Sequence, residues 1–271
     1  MREFFGFNGY TREPEGYFSW QHLVFVSSLM VIMVALAVFF GLRNRHKSDK
    51  VKNKVLIICA IAINVIEISK IILICIRNED ALSWRYMLPL FLCSIQLITI
   101  PLAAFARGRV KEAALDFVFI FGILGAVMGT YAAGQNYTYY PVLSLDNVSS
   151  GLTHTISGFA SLYIGFANMF SMKKENIVIT FAILLSFCVA AYIVNVIIDY
   201  NYMFLMRGDG TPYDIFYNLV GGNKILYPLT VVALFIIYIC AFWGIYSLIK
   251  NKAAQRKATS VSKEEKELIN V

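Results

Sequence analysis

The chain has 271 residues, 58% of them hydrophobic and 15% charged, with a formal net charge of +7 and a mean hydropathy of +0.64. A soluble domain of this length carries about 25% charged residues, so a soluble enzyme, a secreted disulfide scaffold and a disordered chain are excluded. The apolar residues come in blocks of about 20, the length that crosses a hydrocarbon core of about 30 Å, and this points to an all-α polytopic membrane protein.

Residues 1–19 mix Arg2, Glu3, Arg12, Glu13 and Glu15 with aromatics. They read as an interfacial segment and not as a signal peptide. Seven transmembrane helices are expected within 20–249, at about 20–42, 55–76, 84–106, 113–132, 151–171, 176–198 and 225–249. The blocks are too long and too continuously apolar for barrel strands. Residues 250–271 form a charged tail.

The second span carries Asn64, Glu67 and Lys70 on one arc of the helix. Ionisable groups in a bilayer face the protein interior and take a partner, so Glu67 and Lys70 either pair structurally or serve binding or proton transfer. In the third span Pro89 and Pro101 each free a backbone carbonyl, and Cys93, Gln96 and Thr99 repeat at three-residue spacing. The fourth contains Gly122, Gly125 and Gly129, where the last two form a small-xxx-small pair for close helix packing. The loop at 133–150 holds two glycosylation sequons, beginning at Asn136 and Asn147. The fifth span opens on Thr153-His154-Thr155 with Ser157 following, and the sixth ends on Asn195, Asp199, Asn201 and Tyr202. In the next loop, Thr211-Pro212-Tyr213-Asp214 predicts a short helix over about 212–219, stopped by Gly221-Gly222.

Lys and Arg number 17 in one set of alternate connections and 6 in the other, with Lys70 inside a span. The positive-inside rule then puts the N-terminus outside and the C-terminus in the cytoplasm. The basic excess is a topology signal and not a nucleic-acid footprint. With this orientation Glu67, Lys70, Cys93, His22, His154 and Asn195 fall toward the outer face, predicting an outward-opening polar cavity bounded by spans 2, 3, 5 and 6. The five cysteines show no CxxC spacing or close histidine, so neither a disulfide framework nor a metal site is expected. No nucleotide-binding fingerprint is present, and no cofactor is expected.

The order of polar landmarks carries a resemblance. Tyr17-Phe18-Ser19-Trp20-Gln21-His22-Leu23 is similar to the opening of the YwaF family of bacterial integral membrane proteins. Leu88-Pro89-Leu90-Phe91-Leu92-Cys93-Ser94 resembles that family's Leu-Pro-Leu-His-Leu-Cys signature, with Phe91 in place of the histidine. Phe121-Gly122-Ile123-Leu124-Gly125, His154 and Asn201-Tyr202-Met203-Phe204-Leu205 follow in order. The resemblance implies a multi-helix protein of the bacterial plasma membrane, distantly related to eukaryotic proteins that include a cysteine-dependent phospholipid acyltransferase. In the eukaryotic motif the nucleophilic cysteine aligns with Leu90 and not Cys93.

Three function classes remain open, with membrane lipids as partners. A lipid acyltransferase-like or hydrolase-like enzyme would use His154 as base, Glu67 to orient or share protons, and Cys93 or Ser157 as nucleophile. Its substrate contacts would come from Lys70, Gln96, Arg85, Asn195, Asn201, Tyr202 and Arg207, with Arg85 or Arg207 holding a phosphate head group. The second is a transporter or a small-molecule- or lipid-binding subunit, and the third a non-catalytic partner that meets other membrane subunits through the Gly122/Gly125/Gly129 face.

Overall fold

The computed structural model describes residues 2–269, and of residues 2, 253, 254 and 256–269 the backbone alone. Ten helices follow in chain order: α1 Arg2–Phe5, α2 Trp20–Asn44, α3 Asp49–Arg77, α4 Gln96–Phe105, α5 Gly108–Tyr131, α6 Gly134–Tyr139, α7 Leu145–Phe166, α8 Lys174–Ile198, α9 Tyr213–Leu219 and α10 Leu226–Ile269. Helix makes up 74% of the chain, without strands among the described residues. The side chains of Arg256, Lys257, Lys263 and Lys266, counted in the tail, lie outside the described residues.

Five helices are long and apolar enough to cross a membrane: α2, α3, α5 with α6, α8 and the Leu226–Lys252 part of α10. Their outward rows, such as Val31, Ile58, Val189 and Ile237, are exposed and apolar, as a lipid-facing surface requires. The other two predicted spans differ from expectation for identifiable reasons. The third is not a continuous helix: a 3-10 turn at Ser83–Tyr86 leads into irregular chain, and α4 has only 10 residues. Pro89 does more than loosen a turn, because no helix forms around it. The fifth begins earlier, at Leu145, and at 22 residues is about 33 Å long. It falls short in hydropathy because its inner face is built of small and hydroxyl residues.

That face is what the core needs. Hydrophobic force does not draw helices together in lipid, so close backbone approach at small residues does. Gly122 of α5 lies against Ser161 of α7, where an added Cβ would stand 2.6 Å from the Ser161 Cβ. Gly158 of α7 sits against Met33 of α2 and Ala126 of α5, and Gly151 against Leu29 and Phe25 of α2. Helix α5 is therefore the buried centre of the bundle, with α7, α4 and α8 packed against it and α3 packed on α4 and α7. The Gly122/Gly125/Gly129 face packs within the chain, against Ser161, Cys93 and His154 in turn. A second core joins α5, α8 and α10 through Phe117, Phe121, Leu184, Val231 and Phe235.

Polar side chains close the irregular stretches. Pro101 has no N–H for the Leu97 carbonyl, and Asn64 Nδ2 donates to that carbonyl instead at 3.0 Å. Asn53 Nδ2 donates to Ala104 O at 2.7 Å near the end of α4. Asp116 accepts from Ser171 N, Ser171 Oγ and Met172 N at 2.8–3.0 Å, fixing the turn before α8. His22 is fully buried. Its Nδ1 accepts from Phe18 N and its Nε2 donates to Thr130 O, both at 3.2 Å, so it pins α2 to the end of α5.

The short helix expected at 212–219 is α9, Tyr213–Leu219, with the Thr211 hydroxyl accepting from Tyr213 N at 3.3 Å. Asn147, by contrast, is fully buried and its amide donates to Tyr140 O and Pro141 O at 3.0 Å. Mass spectrometry of the protein from a glycosylating host is expected to show Asn147 unmodified.

Candidate functional site

A cavity of about 260 Å³ lies between α3, the irregular chain before α4, α6 and α7. Non-helical backbone is tolerated at membrane depth only where protein buries it or it lines a cavity, and residues 86–94 meet that condition. Their unpaired groups are supplied locally. Ser94 Oγ accepts from Phe91 N and donates to Phe91 O, both at 3.1 Å. Tyr202 reaches across from the chain after α8, its hydroxyl donating to Arg85 O at 2.7 Å and accepting from Leu88 N at 3.0 Å.

One wall is charged. Glu67 and Lys70 of α3 form an ion pair of 2.5 Å with side chains 12% and 16% exposed. Spaced i, i+3, they stand on one helix face, as their sequence spacing requires. The opposite wall is polar and carries Asn136 from α6 with Ser150, Thr153 and His154 from α7. The irregular segment contributes Tyr86, Leu88, Phe91 and Cys93, and the apolar floor includes Ile63 and Leu97. Glu67, Lys70, Cys93 and His154, four of the ten candidates from the sequence, thus surround one space.

Helix α5 lies directly behind two of them. A Cβ on Gly125 would stand 3.3 Å from the Cys93 Cβ, and one on Gly129 would run into the His154 ring. The two glycines are one turn apart, so one rigid helix sets the relative placement of the cysteine and the imidazole. Among the described residues nothing hydrogen-bonds the His154 ring, and packing alone orients it.

The other candidates lie off the cavity wall. Gln96 is fully buried on α4. Its Oε1 accepts from Thr99 Oγ1 at 3.0 Å and its Nε2 has no partner. Asn195 clamps the backbone of Tyr202, accepting from its N–H at 2.6 Å and donating to its carbonyl at 3.0 Å. Asn201 Nδ2 donates to Arg207 O and to Asp209 Oδ2, both at 2.7 Å. Arg207 Nε pairs with Asp209 at 2.7 Å on the surface. Arg85 lies 4.9 Å over the ring of Tyr86, a cavity residue. The expectation that the sixth span bounds the cavity is therefore corrected: no residue of α8 lines it, and Asn195 near its end is used on the backbone of Tyr202.

A second polar cluster escaped the sequence reading. Arg77, at the end of α3, forms a two-pronged ion pair with Asp146, at the start of α7, at 2.6 and 2.9 Å. Tyr10 donates to the same carboxylate at 2.6 Å. Burial, and then the Asp146 carboxylate, push the Tyr10 phenol well above its ordinary range, so it stays a donor. The cluster lies one turn beyond Ser150 and two beyond Lys70, tying the two polar walls and the N-terminal segment together.

The model of the TMEM164 family matches residues 17–258. The chain belongs to the TMEM164 family. No curated protein and no solved structure matches it. Family membership and the apolar helices make it a multi-pass integral membrane protein. The family match takes in every cavity wall, while Tyr10 lies ahead of the matched residues.

Proposed function

We propose that this TMEM164-family protein is a membrane enzyme that acts on the ester-linked acyl chains of phospholipids, with Cys93 as nucleophile and His154 as base. The observation that carries the proposal is the common cavity on which both residues stand with the Glu67–Lys70 pair. The likeness of Leu88–Ser94 to the YwaF signature supports it too. Where that signature has a histidine this chain has Phe91, and the cavity's imidazole comes from α7. The 17-to-6 distribution of basic residues supports a cavity facing the outer side of the membrane.

In the first step His154 takes the proton of the Cys93 thiol, and the sulfur attacks the ester carbonyl. The ester C–O bond breaks and the departing alkoxide receives the proton from the imidazolium, leaving an acyl thioester. An acceptor then attacks the thioester, His154 relaying its proton to the released thiolate. Glu67 and Lys70 form the charged wall beside the reacting carbonyl. Arg85, beside the cavity on Tyr86, is suited to a lipid phosphate. Tyr202, Asn195 and Asn201 act through the backbone they hold.

The test uses the purified protein in phospholipid nanodiscs carrying a labelled acyl chain, with acyl release and the Cys93 adduct followed by mass spectrometry. His154→Ala is expected to lower the rate by roughly 10²–10⁴-fold, and Cys93→Ala to remove the adduct. Wild-type rates in both variants at unchanged melting temperature would sink the reading.

A further inference from the structure

We infer that Asn136 and Ser150 form, with His154, a subsite for a neutral hydroxyl group, the acceptor of the acyl chain; this rests on the reading above and specifies its second substrate. Asn136 and Ser150 both line the cavity, and neither side chain makes a hydrogen bond among the described residues. Their neighbours differ: Thr153 Oγ1 donates to Ser150 O at 3.0 Å, and Ser94 is closed on Phe91. Half-buried polar groups without a protein partner are completed by water or by ligand.

The chemistry of the unmet groups selects the ligand. An amide and a hydroxyl each donate and accept, and an imidazole does both through its two nitrogens. An anion would be drawn to Lys70, and an ammonium to Glu67, but these two neutralise each other at 2.5 Å. Neutral groups able to give and take one hydrogen bond each remain, and a hydroxyl is their complement.

The geometry suits a reaction at that hydroxyl. Ser150 precedes His154 by four residues in α7 and so stands on the same face one turn away. Asn136 is carried by α6, whose carbonyl end is fastened by Asn147: the buried amide donates to Tyr140 O at 3.0 Å and to Asn136 O at 3.5 Å. A hydroxyl held between Asn136 and Ser150 presents its proton to His154 and its oxygen to the Cys93 thioester. The C–S bond breaks, the new ester C–O bond forms, and the proton passes through His154 to the thiolate. Water competes for the same thioester, so the subsite governs the ratio of transfer to hydrolysis.

That ratio is the measurement, taken in nanodiscs with a labelled phospholipid donor and a lysophospholipid bearing a free hydroxyl. Asn136→Ala and Ser150→Ala are each expected to lower transfer relative to hydrolysis by roughly three- to tenfold, one hydrogen bond's worth. Ser150→Ala removes a single atom from a half-exposed position and so remains informative if the amide variant melts early. An unchanged ratio in Ser150→Ala and Asn136→Ala, with His154→Ala still inactive, overturns the subsite and leaves the enzyme reading standing. Full activity of His154→Ala overturns the enzyme reading itself.

Discussion

Asp146→Ala is expected to cost about 3–5 kcal/mol of stability, because it strands a buried guanidinium. Asp146 and Arg77 are 9% and 11% exposed, so water recovers little of the lost interaction. Tyr10, whose phenol donates to the same carboxylate, loses that acceptor as well. Arg77→Met is expected to do similar damage by leaving the buried carboxylate without its counter-charge, with the Tyr10 hydroxyl still donating to it. The double change Arg77→Met with Asp146→Leu is expected to recover much of the loss, since apolar residues of similar volume often replace a buried pair without penalty. Melting in detergent checks all three. Single variants within 1 kcal/mol of wild type would mean that the pair behaves as an exposed one.

The reason this cluster escaped the sequence reading is instructive. Arg77 and Asp146 are 69 residues apart, and each sits at a helix end, where a charge needs no explanation. Glu67, Lys70 and His154 were legible because they interrupt apolar runs, and such groups must turn inward. Inward, however, is not the same as into a cavity. Asn64 and Asn195 interrupt apolar runs in the same way, yet Asn64 satisfies the carbonyl that Pro101 leaves free and Asn195 holds the backbone of Tyr202. A polar residue in a membrane helix signals an unmet polar group nearby, and only the fold tells whether that group is backbone or substrate. Asn136 was hidden for the opposite reason: in a polar loop its amide looked ordinary, and only the return of α6 over α7 brings it to the cavity.

The third span shows the same limit in the backbone. Pro89 and Pro101 were visible, but proline costs a helix one hydrogen bond wherever it falls. The outcomes diverge because of what stands opposite. Around Pro101 the helix persists, with Asn64 on α3 meeting the freed carbonyl. Before Pro89 the Tyr202 hydroxyl takes up Leu88 N and Arg85 O, so the chain is held in an irregular course.

Gly129→Ala is expected to impair function and largely spare the fold, while Gly122→Ala is expected to do the reverse. A methyl on Gly129 runs into the His154 imidazole, a ring at the end of a side chain that can swing aside. Displacing a reacting group by about 1 Å costs roughly a hundredfold in rate, so acyl release should fall by about that factor with little change in melting. A methyl on Gly122 would lie 2.6 Å from the Ser161 Cβ and 2.8 Å from the Ser157 carbonyl, and a backbone oxygen cannot swing. There α5 and α7 must part, at a cost of about 1–3 kcal/mol. Gly125→Ala falls between the two, at 3.3 Å from the Cys93 Cβ. Melting temperature and acyl release measured on the same three preparations separate the cases. Equal loss of stability in all three would make α5 a packing helix and nothing more; a crossed pattern ties the glycine face to the placement of Cys93 and His154. The reason is mechanical: with no hydrogen bond to aim it, the imidazole keeps its orientation only because the helix behind it has no side chain.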